Sequence, residues 1–165
     1  MKRIGTNAPA LITLASIAVL GIALGSQYFG GLAPCKLCHY QRWPYIFTVA
    51  AGLAAWVLPG GSIARRWLIA VCAMAFAVGG AVAVYHAGVE YGWFAAPTSC
   101  SGIGETPDTI EVLRHQLLSQ PLVRCDEPTW TKFGVSMAGY NVLTSAVLTA
   151  ISLYAAARMR GRTDT

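Results

Sequence analysis

The chain has 165 residues, of which 55% are hydrophobic and only 12% are charged. Soluble domains carry about 25% charged residues, so this length and composition predict a single domain that lies in a membrane. The net charge of +5 could suit nucleic acid, but the Lys and Arg residues cluster at the ends of apolar stretches and form no basic stripe. Nucleic-acid binding is therefore not expected.

Four stretches without charged side chains are each long enough to cross a bilayer, which takes about 20 apolar residues. Because a backbone in lipid must satisfy its own polar groups, each stretch is predicted to be a helix. The predicted helices cover residues 9–29, 43–62, 67–88 and 134–157. The sequence thus predicts an all-α fold, an integral membrane four-helix bundle that forms one domain over residues 1–165.

The first stretch also has features of a secretory signal peptide, because Lys2 and Arg3 precede an apolar run. The run is longer than the usual core of a signal peptide, and no clear small-x-small cleavage site follows it. We therefore expect it to remain in the protein as the first helix.

The basic residues at the helix ends predict the orientation of the bundle. If the four helices alternate, seven cations fall on one side, and six of the seven acidic residues fall on the other. The seven cations are Lys2, Arg3, Arg65, Arg66, Arg158, Arg160 and Arg162. The positive-inside rule then predicts that both termini are cytoplasmic and that segments 30–42 and roughly 88–132 face outward.

The second outward segment is long for a structureless connection, so we expect some order or function within it. Asp108 and Glu111 fit the start of a helix. The apolar residues that would share one face of this helix are Ile110, Leu113 and Leu117. A short amphipathic helix on the membrane surface is predicted, and a simple amphipathic spacer remains an alternative.

Four of the five cysteines lie on the outward side under this topology, which was derived without them. They are Cys35, Cys38, Cys100 and Cys125. Cys72 falls inside the third predicted helix, where a single cysteine usually serves as a small apolar side chain. The chemistry of the chain is therefore predicted to lie on its outward face.

Cys35 and Cys38 form a C-x-x-C motif just before the second predicted helix. Such a pair can close a small ring and lowers the pKa of one thiol. If residues 35–42 are helical, Arg42 lies in one row with both cysteines and would stabilise a thiolate or an anionic acceptor. Pro44 leaves this open, because a helix either begins near a proline or kinks there.

Cys100 and Cys125 form the second outward pair. They could be a structural disulfide that closes a loop. They could also be a relay that exchanges with a soluble partner on one side and with the C-x-x-C pair on the other. A C-x-x-C motif on the same face of the membrane favours the relay.

Three other interpretations of the cysteines are possible. Cys35, Cys38 and His39 match the attachment signature of c-type haem, but the motif abuts an apolar helix and gives the second pair no role. A zinc site could draw on the cysteines with His39, His86 and His115, yet only one C-x-x-C is present, so no metal is expected. The chain could also be a non-enzymatic membrane protein with two structural disulfides.

Four segments resemble the bacterial disulfide bond formation protein B (DsbB) family. They are residues 31–42, 85–90, 97–100 and 124–130. Both cysteine pairs occur in the order of that family, and the resemblance covers nearly the whole chain. In the vitamin K epoxide reductase-like enzymes the loop pair precedes the C-x-x-C motif, so the order found here favours the DsbB-like interpretation.

The resemblance implies a thiol:quinone oxidoreductase of the bacterial inner membrane that supports disulfide bond formation. A periplasmic thioredoxin-like partner of the DsbA type would form a mixed disulfide with Cys100. Cys125 would exchange with Cys35, and Cys38 would face the quinone as a thiolate. Arg42 would hold the head group of ubiquinone or menaquinone, taken from the membrane quinone pool of the lipid bilayer.

His86 and Glu90 lie four residues apart near the outward end of the third predicted helix. Ionisable residues within a membrane segment are candidate functional residues, and these two lie at the depth expected for a quinone head group. The alternative is an interfacial hydrogen bond between the two side chains.

Overall fold

Four helices dominate the computed structural model, which describes residues 3–97, 100, 109–110 and 123–160. In chain order they are α1 (Arg3–Tyr28), α2 (Lys36–Val57), α3 (Ile63–Glu90) and α4 (Met137–Arg160). The prediction of an all-α fold with four helices is confirmed. Three of them, α1, α3 and α4, are long and apolar enough to cross a membrane.

The helices pack side by side in an arrangement that leaves one seam open. α3 lies along both α2 and α4, and α1 lies along α2. The contact between α1 and α4 is much smaller than these three. A cavity therefore forms between α1 and α4, next to the start of α2.

The second helix begins at Lys36, well before the predicted start at residue 43, and ends at Val57, before the predicted end at residue 62. Its first turn is capped by Cys35, whose sulfur accepts a hydrogen bond from the backbone N–H of Cys38. Its end is set by Pro59, because the residue before a proline avoids helical geometry. The prediction relied on the absence of charge and so excluded Lys36 and Arg42.

Pro44 lies inside α2 and does not end it. Its ring packs against α3 at Gly79, where an added Cβ would come within 3.1 Å of the Pro44 Cγ. A glycine at this crossing lets the two helices approach closely around the proline. Of the two geometries that the sequence left open, the structure shows a helix that begins before Pro44 and includes residues 36–42.

A small hairpin precedes α4 and was not predicted. Strands β1 (Thr131–Lys132) and β2 (Val135–Ser136) pair in antiparallel register. The turn between them has positive φ at both Phe133 and Gly134, as a two-residue hairpin of the right twist requires. The Ser136 hydroxyl then accepts a hydrogen bond from the Gly139 N–H at 3.1 Å, so α4 begins at Met137 and not at residue 134.

The centre of the bundle is built from small and aromatic side chains. Tyr45 and Phe76 are buried, with ring centroids 5.7 Å apart. Cys72 is fully buried in the same core, as predicted for a cysteine that acts as a small apolar side chain. Many large apolar side chains of the helices are exposed in the isolated chain, as expected for surfaces that face lipid.

The amphipathic helix predicted for the second outward segment falls almost entirely outside the described residues. Asp108, Glu111, Leu113 and Leu117 all lie in this undescribed part of the chain.

Candidate redox site

The C-x-x-C pair lies at the N-terminus of α2, with the sulfur atoms of Cys35 and Cys38 2.8 Å apart. The cap described above holds them in place, because the Cys38 N–H donates to the Cys35 sulfur at 3.2 Å. Cys35 is only 3% exposed. Two sulfur atoms this close can form a disulfide with little movement of the backbone.

The second cysteine pair packs directly on the first. Cys100 and Cys125 form a disulfide with Cα atoms 5.4 Å apart. Both are buried in one cluster with Cys35, and Cys38 packs against that cluster. The four cysteines named from the sequence therefore lie together, although Cys125 is far from the C-x-x-C motif along the chain.

His86 of α3 completes this cluster. Its Nε2 atom lies 3.5 Å from the Cys35 sulfur and 3.8 Å from a carboxylate oxygen of Glu90. The backbone of Cys125 is also within hydrogen-bonding reach of the ring. His86 thus contacts both cysteine pairs, and Glu90 lies behind it.

Hydrogen bonds set the reactivity of Cys35. The hydrogen bond between the Cys35 and Cys38 side chains, together with that between Cys35 and His86, lowers the pKa of the Cys35 thiol from 9.0 to about 4, against the opposing effect of burial. A thiolate is the nucleophilic form of cysteine. Cys35 is therefore ready for exchange at neutral pH whenever the pair is reduced.

The seam between α1 and α4 holds a cavity of about 720 Å³ beside this cluster. Most of its lining is apolar, and the hairpin before α4 forms one rim. Cys38, Arg42 and His86 are among the polar residues that line it. Glu90 is not among the described residues that line it, so the two residues paired in the sequence prediction take different positions.

Arg42 lies one helical turn after Cys38, as the row at steps of three and four predicted. Its guanidinium donates to the Gln27 side-chain oxygen at 2.7 Å and to the Ala23 carbonyl at 3.4 Å, both on α1. These bonds hold the cation against the wall of the cavity. Arg42 therefore provides a fixed positive charge beside Cys38 at a site where an anionic or polarised acceptor could bind.

Sequence reasoning missed a chain of polar residues that leads from His86 into the bundle. Gln41 contacts His86, Asn141 contacts Gln41, and Tyr45 contacts Asn141. All three line the cavity. The signal that could have found them is the presence of amide side chains within helices that otherwise face lipid, where polar groups need partners.

Cys35, Cys38 and His86 could in principle hold a soft metal ion, because their ligand atoms all lie within 4.8 Å of one another. The hydrogen bond to the other ring nitrogen argues against a good fit. The amide nitrogen of Gln41 can only donate, so Nδ1 of His86 accepts. The proton of the neutral ring then lies on Nε2, which is the atom that a metal would need.

The fold and the site together define a membrane protein with two adjoining cysteine pairs, one of them at the edge of an apolar cavity. The sequence model of the family described as "Disulfide bond formation protein DsbB" matches residues 5–155. The chain therefore belongs to the DsbB family, whose members are membrane oxidoreductases of disulfide bond formation.

Individual relatives support this assignment. A "Disulfide bond formation protein B" of Pasteurella multocida is 29% identical over 152 residues, which cover 90% of this chain and 84% of the relative. The protein of that name from Haemophilus influenzae (strain 86-028NP) is 30% identical over 137 residues, 81% of this chain and 75% of the relative. An "Uncharacterized protein RP370" of Rickettsia prowazekii is 29% identical over 140 residues, 84% of this chain and 79% of the relative. No solved structure matches the chain.

Proposed function

We propose that the protein is a thiol:quinone oxidoreductase that oxidises a periplasmic dithiol partner and passes two electrons to a membrane quinone. One observation carries the proposal: the two cysteine pairs pack together, and Cys38 of the inner pair lines an apolar cavity at the seam between α1 and α4. The C-x-x-C pair is thus placed to exchange with the Cys100–Cys125 pair through Cys35, while the Cys38 sulfur faces a cavity suited to an apolar ligand.

The exchange proceeds between two cysteine pairs that already adjoin. A thiolate of the partner attacks Cys100, which releases Cys125. Cys125 then attacks Cys35 of the oxidised C-x-x-C pair and releases Cys38 as a thiolate. When the partner's second thiol resolves its mixed disulfide, the freed Cys100 attacks Cys125, which restores the outer disulfide and leaves Cys35 and Cys38 reduced.

The final two-electron acceptor would be a quinone, either ubiquinone or menaquinone from the membrane pool. Cys38, Arg42 and His86 are the residues that would hold its head group, because they are the ionisable groups on the cavity wall next to the C-x-x-C pair. When the Cys35–Cys38 dithiol loses two electrons and two protons, its disulfide forms again. The apolar lining suits an isoprenoid quinone entering from lipid.

The partner is a thioredoxin-like protein of the DsbA type. The protein lies in the bacterial inner membrane with both termini in the cytoplasm, as the positive-inside distribution predicts. Both cysteine pairs then face the periplasm, where disulfides form and persist.

The experiment mixes the purified protein in detergent with a soluble quinone and a reduced thioredoxin-like dithiol, and follows quinone absorbance. We expect quinone loss that requires the partner and disappears in Cys38→Ala. Undiminished turnover in that variant would reject the proposal. The same spectrum reports on the c-type haem alternative, because a Soret band would assign Cys35, Cys38 and His39 to haem attachment instead.

A further inference from the structure

The polar chain that runs from Tyr45 to His86 has a fixed hydrogen-bond direction. From this direction we infer that Gln41 and Asn141 are positioning residues, which hold the His86 ring in the tautomer that donates from Nε2 to the Cys35 sulfur. The inference rests on the proposed function only for the role of Cys35 in exchange. It concerns the tautomer and orientation of the His86 imidazole, and its effect on Cys35 can be measured without a quinone.

The direction is set at the inner end of the chain. The hydroxyl of Tyr45 donates to the side-chain oxygen of Asn141 at 2.6 Å, and the Ser145 hydroxyl lies 3.0 Å from the Tyr45 oxygen. With its oxygen accepting from Tyr45, Asn141 turns its amide nitrogen toward α2. That nitrogen donates to the side-chain oxygen of Gln41.

The same logic carries the direction to the imidazole. Because its oxygen accepts from Asn141, Gln41 presents its amide nitrogen to Nδ1 of His86 at 2.7 Å. An amide nitrogen donates and does not accept. Nδ1 must therefore be the unprotonated nitrogen, and the neutral ring carries its proton on Nε2.

Nε2 points at the reactive cysteine. It lies closer to the Cys35 sulfur, at 3.5 Å, than to the Glu90 oxygen, at 3.8 Å. A hydrogen bond donated to a sulfur favours its thiolate form. The neutral ring, with its proton on Nε2, provides this bond.

Burial makes the chain effective. Gln41, Tyr45 and His86 are all less than 8% exposed, so water does not readily replace a lost bond. The other ionisable groups near Cys35 and His86 are Cys38 and Arg42 from α2 and Glu90 from α3. The adjoining Cys100–Cys125 disulfide does not titrate. Among these described groups, His86 is the one whose donor is aimed by a hydrogen-bond chain.

The test changes one side-chain atom of Asn141 so that the direction of the hydrogen bond between Asn141 and Gln41 is reversed. In Asn141→Asp the side chain can only accept, so Gln41 must turn its amide over to donate to it and then presents oxygen to Nδ1. The proton of His86 moves to Nδ1, and Cys35 loses the hydrogen bond from His86, while that from the Cys38 N–H remains. Asn141→Leu removes the hydrogen bond to Gln41 without reversing its direction. The control is Thr48→Val, which deletes a buried hydroxyl that bonds to Ser16 and to the Tyr45 backbone carbonyl but to no side chain of the Tyr45–His86 hydrogen-bond chain.

The readout is the rate at which iodoacetamide modifies Cys35 in the reduced protein, resolved by peptide mass spectrometry across a pH series. We expect Asn141→Asp to lower the rate at pH 3 about tenfold, which corresponds to a rise of about one unit in the pKa of Cys35. Asn141→Leu should lower it about threefold, and Thr48→Val should match the wild type. These outcomes would support the inference.

Two outcomes would overturn it. One is an unchanged rate in both Asn141 variants. The other is an equal fall in all three variants, which would indicate general loosening of the bundle. Failure of the proposed function looks different: the wild type would keep its low-pH Cys35 reactivity but reduce no quinone.

Discussion

Cys35 and Cys38 are three residues apart, yet their surroundings differ. Cys35 is buried against His86 and the Cys100–Cys125 disulfide. Cys38 is partly exposed and lines the cavity. This asymmetry gives one sulfur access to the outer disulfide and the other access to an apolar ligand, which is what a relay requires.

The depressed pKa of Cys35 predicts an unusual pH profile in the folded, reduced protein. A lowered pKa keeps the thiolate present as the pH falls, so we expect the alkylation rate of Cys35 to reach half its plateau near pH 4, as its pKa of about 4 requires. In the unfolded chain the half-point should lie near 9.0, the ordinary value. Peptide-resolved alkylation measures both, and a folded half-point above about pH 7 would contradict the assigned hydrogen bonds.

Arg42 is predicted to act on the quinone and not on the dithiol partner. Replacing it with Ala removes the cation from the cavity wall, so the apparent KM for a soluble quinone should rise about tenfold, equivalent to about 1.4 kcal/mol. The KM for the partner should stay as it is. Steady-state assays with each substrate varied in turn provide the measurement.

Arg66→Ala is the matched control, because Arg66 lies on α3 near its start, at the end of that helix opposite His86. It should leave both constants unchanged. An Arg42→Ala enzyme with normal quinone dependence would remove Arg42 from the site.

The sequence predicted the C-x-x-C pair and its row with Arg42 because a short spacing at the start of a helix brings these groups together. Gln41 and Asn141 could not be paired in this way. They lie 100 residues apart, on helices whose relative rotation depends on packing. Hydrophobic patterning gives helix positions but not which faces meet, so the hydrogen-bond chain had to come from the structure.

At the scale of the elements, α2 shows where prediction from composition fails. Lys36 and Arg42 lie in its first two turns, yet charge was the criterion that defined each stretch. The N-terminus of a membrane helix can carry such residues when they point to water or into a cavity. The sequence left open whether a helix could continue through Pro44. It does so here, and Gly79 on α3 leaves room for the proline ring at the crossing.

The crossing of α1 and α2 predicts a sharp size limit at Gly52. A Cβ there would collide with the Thr13 side-chain oxygen and also contact the Pro9 carbonyl. Because the buried Thr13 side chain would have to leave its position in this crossing, we expect Gly52→Ala to destabilise the protein by about 1–3 kcal/mol. Thermal unfolding in detergent should show a lower midpoint.

Gly21→Ala is the control for helix propensity. Among the residues that the structure describes, no atom lies within 4 Å of a Cβ at Gly21, and Ala is the better helix former. Its melting midpoint should be unchanged or slightly higher. A midpoint for Gly52→Ala equal to that of Gly21→Ala would contradict the close approach of α1 and α2.

At the scale of the whole molecule, the bundle combines tight packing with one open seam. α3 packs closely with both neighbours, whereas α1 and α4 part enough to form the cavity. Composition predicted a helical membrane bundle because apolar helices are the simplest solution in lipid. The seam and the hairpin at its rim depend on side-chain size and turn geometry, and composition does not encode them.

The predicted topology can be tested with two single-cysteine positions. In a variant with Cys35, Cys38 and Cys72 replaced by Ala, the native Cys100–Cys125 disulfide does not react with maleimide. Thr131→Cys in this background should react with a membrane-impermeant maleimide added to intact spheroplasts, because the predicted topology places β1 on the outward side. Gly61→Cys, in the connection between α2 and α3, should react only after the membrane is opened. The reverse pattern would contradict the positive-inside assignment.

The central claim is that the two cysteine pairs act in series, and trapping of the exchange intermediate tests it most directly. In Cys38→Ser the reduced Cys35 has lost its partner and should attack the outer disulfide. Peptide mass spectrometry without reductant is then predicted to find Cys35 joined to Cys125, with Cys100 released as a thiol. An intact Cys100–Cys125 disulfide beside an unreacted Cys35 thiol would contradict the relay.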